Sequence, residues 1–273
     1  MTPETELAAV VREIVRPGEL VYIGNFGAQL FCVAAELIRA RYRDLHVISG
    51  GLLLDQLIGA EVVEAVTFAH CWNPVGPQPA WNLRRATEAR SIGEGGRRTE
   101  VRELSLGMLG AALQAAAWGV PFLPVKVNAE TGYASDGWAG DMITQVHSAF
   151  GDTPVVRALR PDVAFVHADL ADSAGNAVIR QPFGEHLIAA QAAARTVVVS
   201  EEVLPPGRSL PEPAHLAGIH VDHVVAVPGA VAPDGTPGRY ARDVRAYAAY
   251  GADSETPERF DEWLERCLAG SES

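Results

Sequence analysis

The chain has 273 residues, enough for one large α/β domain or two small ones. Hydrophobic residues make up 48%, charged residues 21% and aromatics 7%, the composition of an ordinary soluble globular protein with a sizeable core. A formal net charge of -12 argues against binding to nucleic-acid phosphate, so DNA and RNA are excluded as expected partners.

The N-terminal MTPETELAAVVREIVRPGE reads as a charged amphipathic stretch, without the apolar segment and cleavage site of a signal peptide. No apolar run reaches the roughly 18 residues of a membrane span, so no membrane partner is expected. Cys32, Cys71 and Cys267 lie far apart and form no CxxC pair. Neither a disulfide framework nor a thiolate zinc site is expected, and a reducing cytoplasm is the simplest compartment.

Leu20-Val21-Tyr22-Ile23 predicts a strand ending in Gly24-Asn25-Phe26-Gly27, and Ala28 to Arg41 reads as a helix. Leu45 to Ser49 predicts a second strand, closed by Gly50-Gly51, and Val62 to His70 a third. Residues 72–98, with prolines, Trp72, Trp81 and several arginines, read as a long irregular excursion. Glu100 to Leu104 predicts a short strand. Leu106 to Gly119 predicts a helix apolar on nearly every face, and such helices are covered on several sides. Phe122 to Val127 predicts the next strand, followed by the polar loop NAETGYASDGWAGD.

PDVAFVHADLADSAGN, residues 161–176, begins as a buried strand at Val163 to Val166 and turns at Ser173 to Asn176. Helix EHLIAAQAAA and strands TVVVSEE and VDHVVAVPGA follow, and the tail from Tyr240 carries two more helices. Strands alternating with helices imply βαβ units and an open, mainly parallel sheet flanked by helices. LPPGRSLPEP, residues 204–213, reads as a surface loop, so a single domain over 1–273 is expected.

Several signatures are missing: no GxxxxGK[ST], no GxGxxG after a strand and no GxSxG. The Gly24 to Gly27 junction offers backbone N–H groups suited to an anionic or carbonyl oxygen, or it is simply a tight turn. His215, His220, Asp222 and His223 cluster in sequence, but their spacing is not that of a zinc set, and His70-Cys71 has no third partner nearby. No metal is expected. Glu201 and Glu202 follow a strand at its C-terminal end, where a carboxylate serves as nucleophile, base or clamp, or as a charge pair at a helix start. Position alone does not choose between these. Glu130, Tyr133, Asp136 and Trp138 mix acids and aromatics in the 128–141 loop, which suits a substrate cover or an ordinary loop.

Taken together, five segments resemble one family. WGVPFLPVKV resembles the LGLPFLPV segment of the A-type, or α, chain of the class I coenzyme A transferases. PDVAFVHADLADSAGNAVI resembles that family's PDVAIIHAQxAxxxGN, and TVVVSEEV its strand followed by two glutamates. VDHVVAVPGAVAPDGTPGRYARD resembles its VDAVVxxPxGAHPxxxxxxYxxD segment, and YAAYGADSETPERFDEWLERCL its C-terminal helices. The similarity spans roughly residues 5–268 in unbroken order; the α chains of glutaconate CoA-transferase and of the steroid ring-opening CoA-thioester hydrolase are similar members.

The resemblance implies a CoA-transferase-like three-layer fold and an α subunit that works with a β subunit on acyl-CoA and a small carboxylic acid. Coenzyme A enters as part of the substrate, and no other cofactor is implied. The implied chemistry is covalent: a glutamate attacks the thioester, giving an acyl anhydride and then an enzyme-bound CoA thioester. In two-subunit members that glutamate lies in the β subunit, within a Ser-Glu-Asn-Gly type motif, and this chain has no such motif. No catalytic residue is therefore expected in this chain. Expected substrate-binding residues are Gly24, Asn25, Phe26, Gly27, Gly50, Gly51, Glu130, Tyr133, Trp138 and Glu202, and His167 and Asp169 are expected to be buried and hydrogen-bonded. The chain departs from the family in lacking GxP after Gly24-Asn25-Phe26-Gly27, and in reading Gly229-Ala230-Val231-Ala232-Pro233 where the family has GAHP. Those departures leave hydrolysis or decarboxylation of a CoA thioester as alternatives, and a non-catalytic acid-binding or regulatory protein as a reading of another class.

Overall fold

A computed structural model describes residues 3–76, 78–92, 99–127 and 139–269. Its centre is a parallel sheet of seven strands: β1 (Leu20–Ile23), β2 (Leu45–Ile48), β3 (Val63–Phe68), β4 (Glu100–Glu103), β8 (Val163–Ala168), β11 (Arg195–Ser200) and β12 (His223–Ala226), in the order β12-β11-β8-β1-β2-β3-β4. The strands read as continuous apolar runs because both faces are covered. Their two-residue period splits the core. Val21, Ile23, Val47, Val163, Phe165, Val197 and Val199 face one cluster, while Tyr22, Ile48, Ala164, Val166 and Val198 face the other.

The first cluster is covered by α1 (Pro3–Ile14), α2 (Phe31–Arg39), α3 (Gly51–Gly59), α7 (Val244–Asp253) and α8 (Pro257–Leu268). The second is covered by α5 (Leu106–Ala117) and α6 (His186–Ala192). Helix α5 starts at Ser105, whose hydroxyl accepts the Met108 amide at 3.2 Å. Its apolar character on all sides has a direct cause: Met108, Leu109, Ala112 and Leu113 meet the parallel sheet, α6 and a second, antiparallel sheet. That second sheet is β5 (Phe122–Pro124), β6 (Ile143–Ser148) and β7 (Gly151–Arg157), ordered β5-β7-β6. A two-stranded ribbon, β9 (Leu170–Ala171) with β10 (Ala177–Val178), follows β8.

Two expectations need correction. The irregular excursion at 72–98 contains a helix, α4 (Trp81–Ile92), which packs against α3. Its Arg-rich first turns hide the helical pattern, since only Asn82 among its described side chains is buried while Leu83 and Ala86 are partly covered. The strand expected over 122–127 is shorter, and it joins the antiparallel sheet instead of the parallel one.

The chain runs from β1 outward to β4, then returns to the other side of β1 as β8 and continues to β12. The connections leaving β1 and β8 therefore part in opposite directions. A crevice opens at the C-terminal ends of those strands, where α/β sheets hold their ligands.

Candidate active site

Three turns meet in that crevice, one after each of β1, β2 and β3. After β1, the Gly24 amide donates to Phe165 O on β8 at 3.2 Å, and Asn25 forms a bridge with Ala28. The Ser49 hydroxyl, just past β2, sits 2.9 Å from Ile23 O and 2.8 Å from Gly24 O, tying the second turn to the first. Gly51 donates to His70 O at 3.0 Å, tying the second to the third. The tightness is steric: a Cβ on Gly50 would lie 2.2 Å from Asn25 Oδ1 and 2.8 Å from His70 Cε1. Gly50 therefore lets Asn25 and His70 converge over its backbone.

Asn25 is 1% exposed, and its amide Nδ2 donates to Glu185 Oε2 at 3.2 Å. Among the described residues, its Oδ1 has no hydrogen-bond partner, and neither has His70 Nδ1. Burial raises the Glu185 carboxyl above its ordinary value, the hydrogen bonds from its own backbone and from Asn25 only partly opposing it. Burial also lowers the His70 imidazole, which favours its neutral form. The Phe26 ring stands edge-on to His70 at 6.4 Å.

These groups line a cavity of about 490 Å³, whose walls include Trp72, Leu106 and Pro182. Phe26 and Trp72 remain 50% and 54% exposed, so the cavity is open along an apolar, aromatic side. Asp234 and Arg242 complete it and pair with each other at 2.7 Å.

The polar end of the 161–176 segment lies beside this cavity and is not part of its lining. His167 Nε2 meets Glu201 Oε1 at 3.0 Å, the Tyr240 hydroxyl donates to the same oxygen at 2.6 Å, and the Gly229 amide donates to Glu201 Oε2 at 2.7 Å. Burial works against the Glu201 charge, yet these hydrogen bonds outweigh it and hold the carboxyl below its ordinary value. Asp169 is held by Arg239 and, at 3.0 Å, by Arg180. Asp172 closes the following turn, accepting the Asn176 amide at 2.9 Å. His167 and Asp169 are thus buried and bonded, as the sequence leads one to expect.

Of the expected substrate-binding residues, Asn25, Phe26, Gly27 and Gly51 line the cavity, and Gly24 and Gly50 shape the turns behind it. Glu202 stands apart: its side chain is exposed, 3.5 Å from Arg239, and is absent from the lining. Glu130, Tyr133 and Trp138 lie outside the described residues. Sequence reasoning missed Gln29, His70, Trp72, Asp234 and Arg242. His70 carries a usable signal, because it follows β3 just as Asn25 follows β1 and Ser49 follows β2. Among the described residues, no three His, Cys, Asp or Glu side chains converge as a metal ion requires. His215 instead accepts the Ile179 amide at 3.3 Å.

A family model described as coenzyme A transferase matches residues 5–227. The A-type chain of the 3-oxoadipate CoA-transferase of Pseudomonas knackmussii is 29% identical, over 97% of this chain and 93% of its own length. The cholesterol ring-cleaving hydrolase IpdA subunit of Mycobacterium tuberculosis is 30% identical, over 95% of this chain and 91% of its own length. Among solved structures, the decarboxylase AibA/AibB superposes with a TM-score of 0.81 at 29% identity, covering 96% of this chain and 97% of that one.

Proposed function

The chain belongs to the coenzyme A transferase family, and from that premise we propose that it is the α half of a two-subunit enzyme acting on acyl-CoA thioesters, with the nucleophilic glutamate supplied by its partner. One observation carries the division of labour. Among the described residues lining the cavity, the one carboxylate, Asp234, is already committed to Arg242 at 2.7 Å. Glu185 is not part of the lining and is occupied by the Asn25 amide at 3.2 Å.

In the proposed reaction a glutamate carboxylate of the partner attacks the thioester carbonyl and expels coenzyme A thiolate, leaving a mixed anhydride. The thiolate then attacks the enzyme's own carbonyl of that anhydride, releases the acyl carboxylate and forms an enzyme–CoA thioester. An acceptor acid reverses both steps. This chain contributes the acyl-facing wall: the turns at Gly24 to Gly27 and Gly50-Gly51, with Asn25 and His70 between them. Glu130, Tyr133 and Trp138 belong to the same proposal as further substrate contacts, and the chain acts as one domain. The exposed apolar side chains Trp118, Val120 and Phe122 add surface suited to a protein partner. No described helix is long and apolar enough to cross a membrane, and cysteines spaced far apart in the chain suit a reducing cytoplasm.

A second reading has its own support. The hydrolase and decarboxylase relatives are as similar as the transferase, at 30%, 29% and 29% identity. The same pairing of subunits then serves hydrolysis or decarboxylation of a CoA thioester.

Affinity purification from the native host, followed by mass spectrometry, tests both. A partner of similar size with a glutamate in a Ser-Glu-Asn-Gly-like context, and CoA transfer between acids by the complex, supports transfer. A partner lacking that glutamate moves the reaction to hydrolysis or decarboxylation. Recovery of this chain alone overturns the two-subunit reading.

A further inference from the structure

Gln29 follows the turn after β1 and is 8% exposed, yet one end of its side-chain amide is unused. The Leu53 amide, in the first turn of α3, donates to Gln29 Oε1 at 3.4 Å. A backbone N–H requires an acceptor, so the oxygen faces α3 and the NH2 group is left over. Among the described residues Nε2 meets no acceptor, and unlike Asn25 Oδ1 it is not sealed from solvent.

The amide rests on Gly51, where a Cβ would lie 2.3 Å from Oε1 and 2.5 Å from Nε2. Gln29 and Gly51 both line the cavity, and Gly51 is the first residue of α3. A helix N-terminus carries partial positive charge, so negative charge developing on a substrate atom is favoured at this spot. Gln29 also falls in the stretch where the chain departs from the family's GxP pattern, so that pattern does not itself call for this donor.

We propose that Gln29 is a catalytic residue: its Nε2 donates to the carbonyl oxygen of the bound thioester as that oxygen gains negative charge. The proposal rests on the reading that this cavity faces the acyl group. When the partner's carboxylate oxygen bonds to the thioester carbon, the C=O π pair moves onto oxygen. As that pair returns, the C–S bond breaks and coenzyme A leaves as thiolate. Loss of carbon dioxide from the carbon next to the thioester instead leaves its electron pair on the same oxygen, as an enolate. The donor therefore serves either chemistry. Held in place by Leu53 and Gly51, it stabilises such an oxygen without reorganising.

The test uses the complex of this chain with the subunit that co-purifies. Acetyl-CoA, butyryl-CoA, succinyl-CoA and malonyl-CoA are supplied with propionate present, and the thioester consumed fastest is carried forward. Gln29→Met removes both donor and acceptor, whereas Gln29→Glu keeps an acceptor for Leu53 and removes the donor. Both should lower kcat about 100- to 1,000-fold, the loss expected for an oxyanion donor, with KM within about threefold. S-butyl-CoA, a thioether with no carbonyl oxygen, should bind the unmodified and variant complexes equally in calorimetry, which a merely structural role would not give. Variants that keep kcat within about threefold, or that lose S-butyl-CoA binding along with kcat, overturn the assignment and leave the acyl-CoA reading intact. A rise in KM alone places Gln29 on a remote part of the substrate and overturns it as well. An unmodified complex that neither binds nor consumes any of these thioesters overturns the acyl-CoA reading itself.

Discussion

The Asn25 side-chain amide donates to the Glu185 carboxylate at 3.2 Å, joining the turn after β1 to the residue that opens α6 across 160 positions of sequence. The bond crosses the point where the sheet's connections diverge, so it sets the shape of the crevice as well as the orientation of Asn25. It also keeps a carboxylate in a place that raises its pKa, chiefly through burial.

Glu185→Gln therefore separates stability from function. A carboxyl raised above its ordinary 4.5 costs stability when ionised, so the cost is present above that value and vanishes below it. The glutamine still accepts from Asn25 without the charge, and thermal melts at pH 7.5 should show a gain on the order of 1 kcal/mol that disappears near pH 4. Activity should fall in the same variant, because a glutamine amide also donates and lets Asn25 turn over. Lower stability at pH 7.5 would show that Glu185 is better paired than its surroundings indicate.

Gly184→Ala tests how closely the β1 turn and the approach to α6 are packed. Gly184 has φ +51°, and a Cβ there would lie 1.6 Å from the Phe26 carbonyl oxygen. Backbone has to move, so a loss of about 3 kcal/mol in chemical denaturation is expected. Gly76→Ala, also at positive φ but with open space around its Cβ, is the control and should lose less.

The parallel core was legible because β-branched runs such as Val163 to Val166 and Thr196 to Val199 end in turns and alternate with helical patterns. Helix α4 was hidden because it is largely polar and follows a proline-rich loop. Strands β6 and β7 escaped because most of their side chains face outward, so burial imposes no alternation on Ile143–Ser148. Gly24 to Gly27 and Gly50-Gly51 were legible as turns because glycines at strand ends are local signals. The Asn25–Glu185 bond, and the convergence of His70 with Asn25, depend on strand order, which no local pattern encodes.

Asp55 gives a separate test of the layer that supports the β2 turn. It is fully buried on α3, accepting from the Tyr250 hydroxyl at 2.7 Å, the Leu83 amide at 2.9 Å and Asn82 Nδ2 at 3.2 Å. Burial raises its pKa in spite of those bonds. Tyr250→Phe removes a hydrogen bond to a buried acid and should cost about 2 kcal/mol in urea denaturation. Tyr247→Phe is the comparison: its hydroxyl interacts with Arg242 and not with Asp55, so the variant should lose less. Equal losses in the two variants would show that removal of a buried hydroxyl in general, not the Asp55 bond, sets the cost.

Glu201 should govern the acid limb of stability. Its carboxyl accepts from Tyr240 and Gly229 and meets His167, and these bonds hold it below its ordinary 4.5 against the opposing effect of burial. For an acid whose folded pKa is depressed, the stabilisation is complete above the ordinary value and is lost as pH falls through the folded value. Asp169, whose burial is outweighed by Arg239 and Arg180, behaves in the same way below 3.8. Denaturation midpoints should thus be steady from pH 7 to about 5 and decline below. Glu201→Gln should start about 2 kcal/mol lower at pH 7, having lost charge-assisted bonds. It should then decline less steeply between pH 4.5 and 3, the residual slope being that of Asp169 and other carboxylates. A variant with the unaltered acid slope would place the acid-sensitive group elsewhere in the molecule.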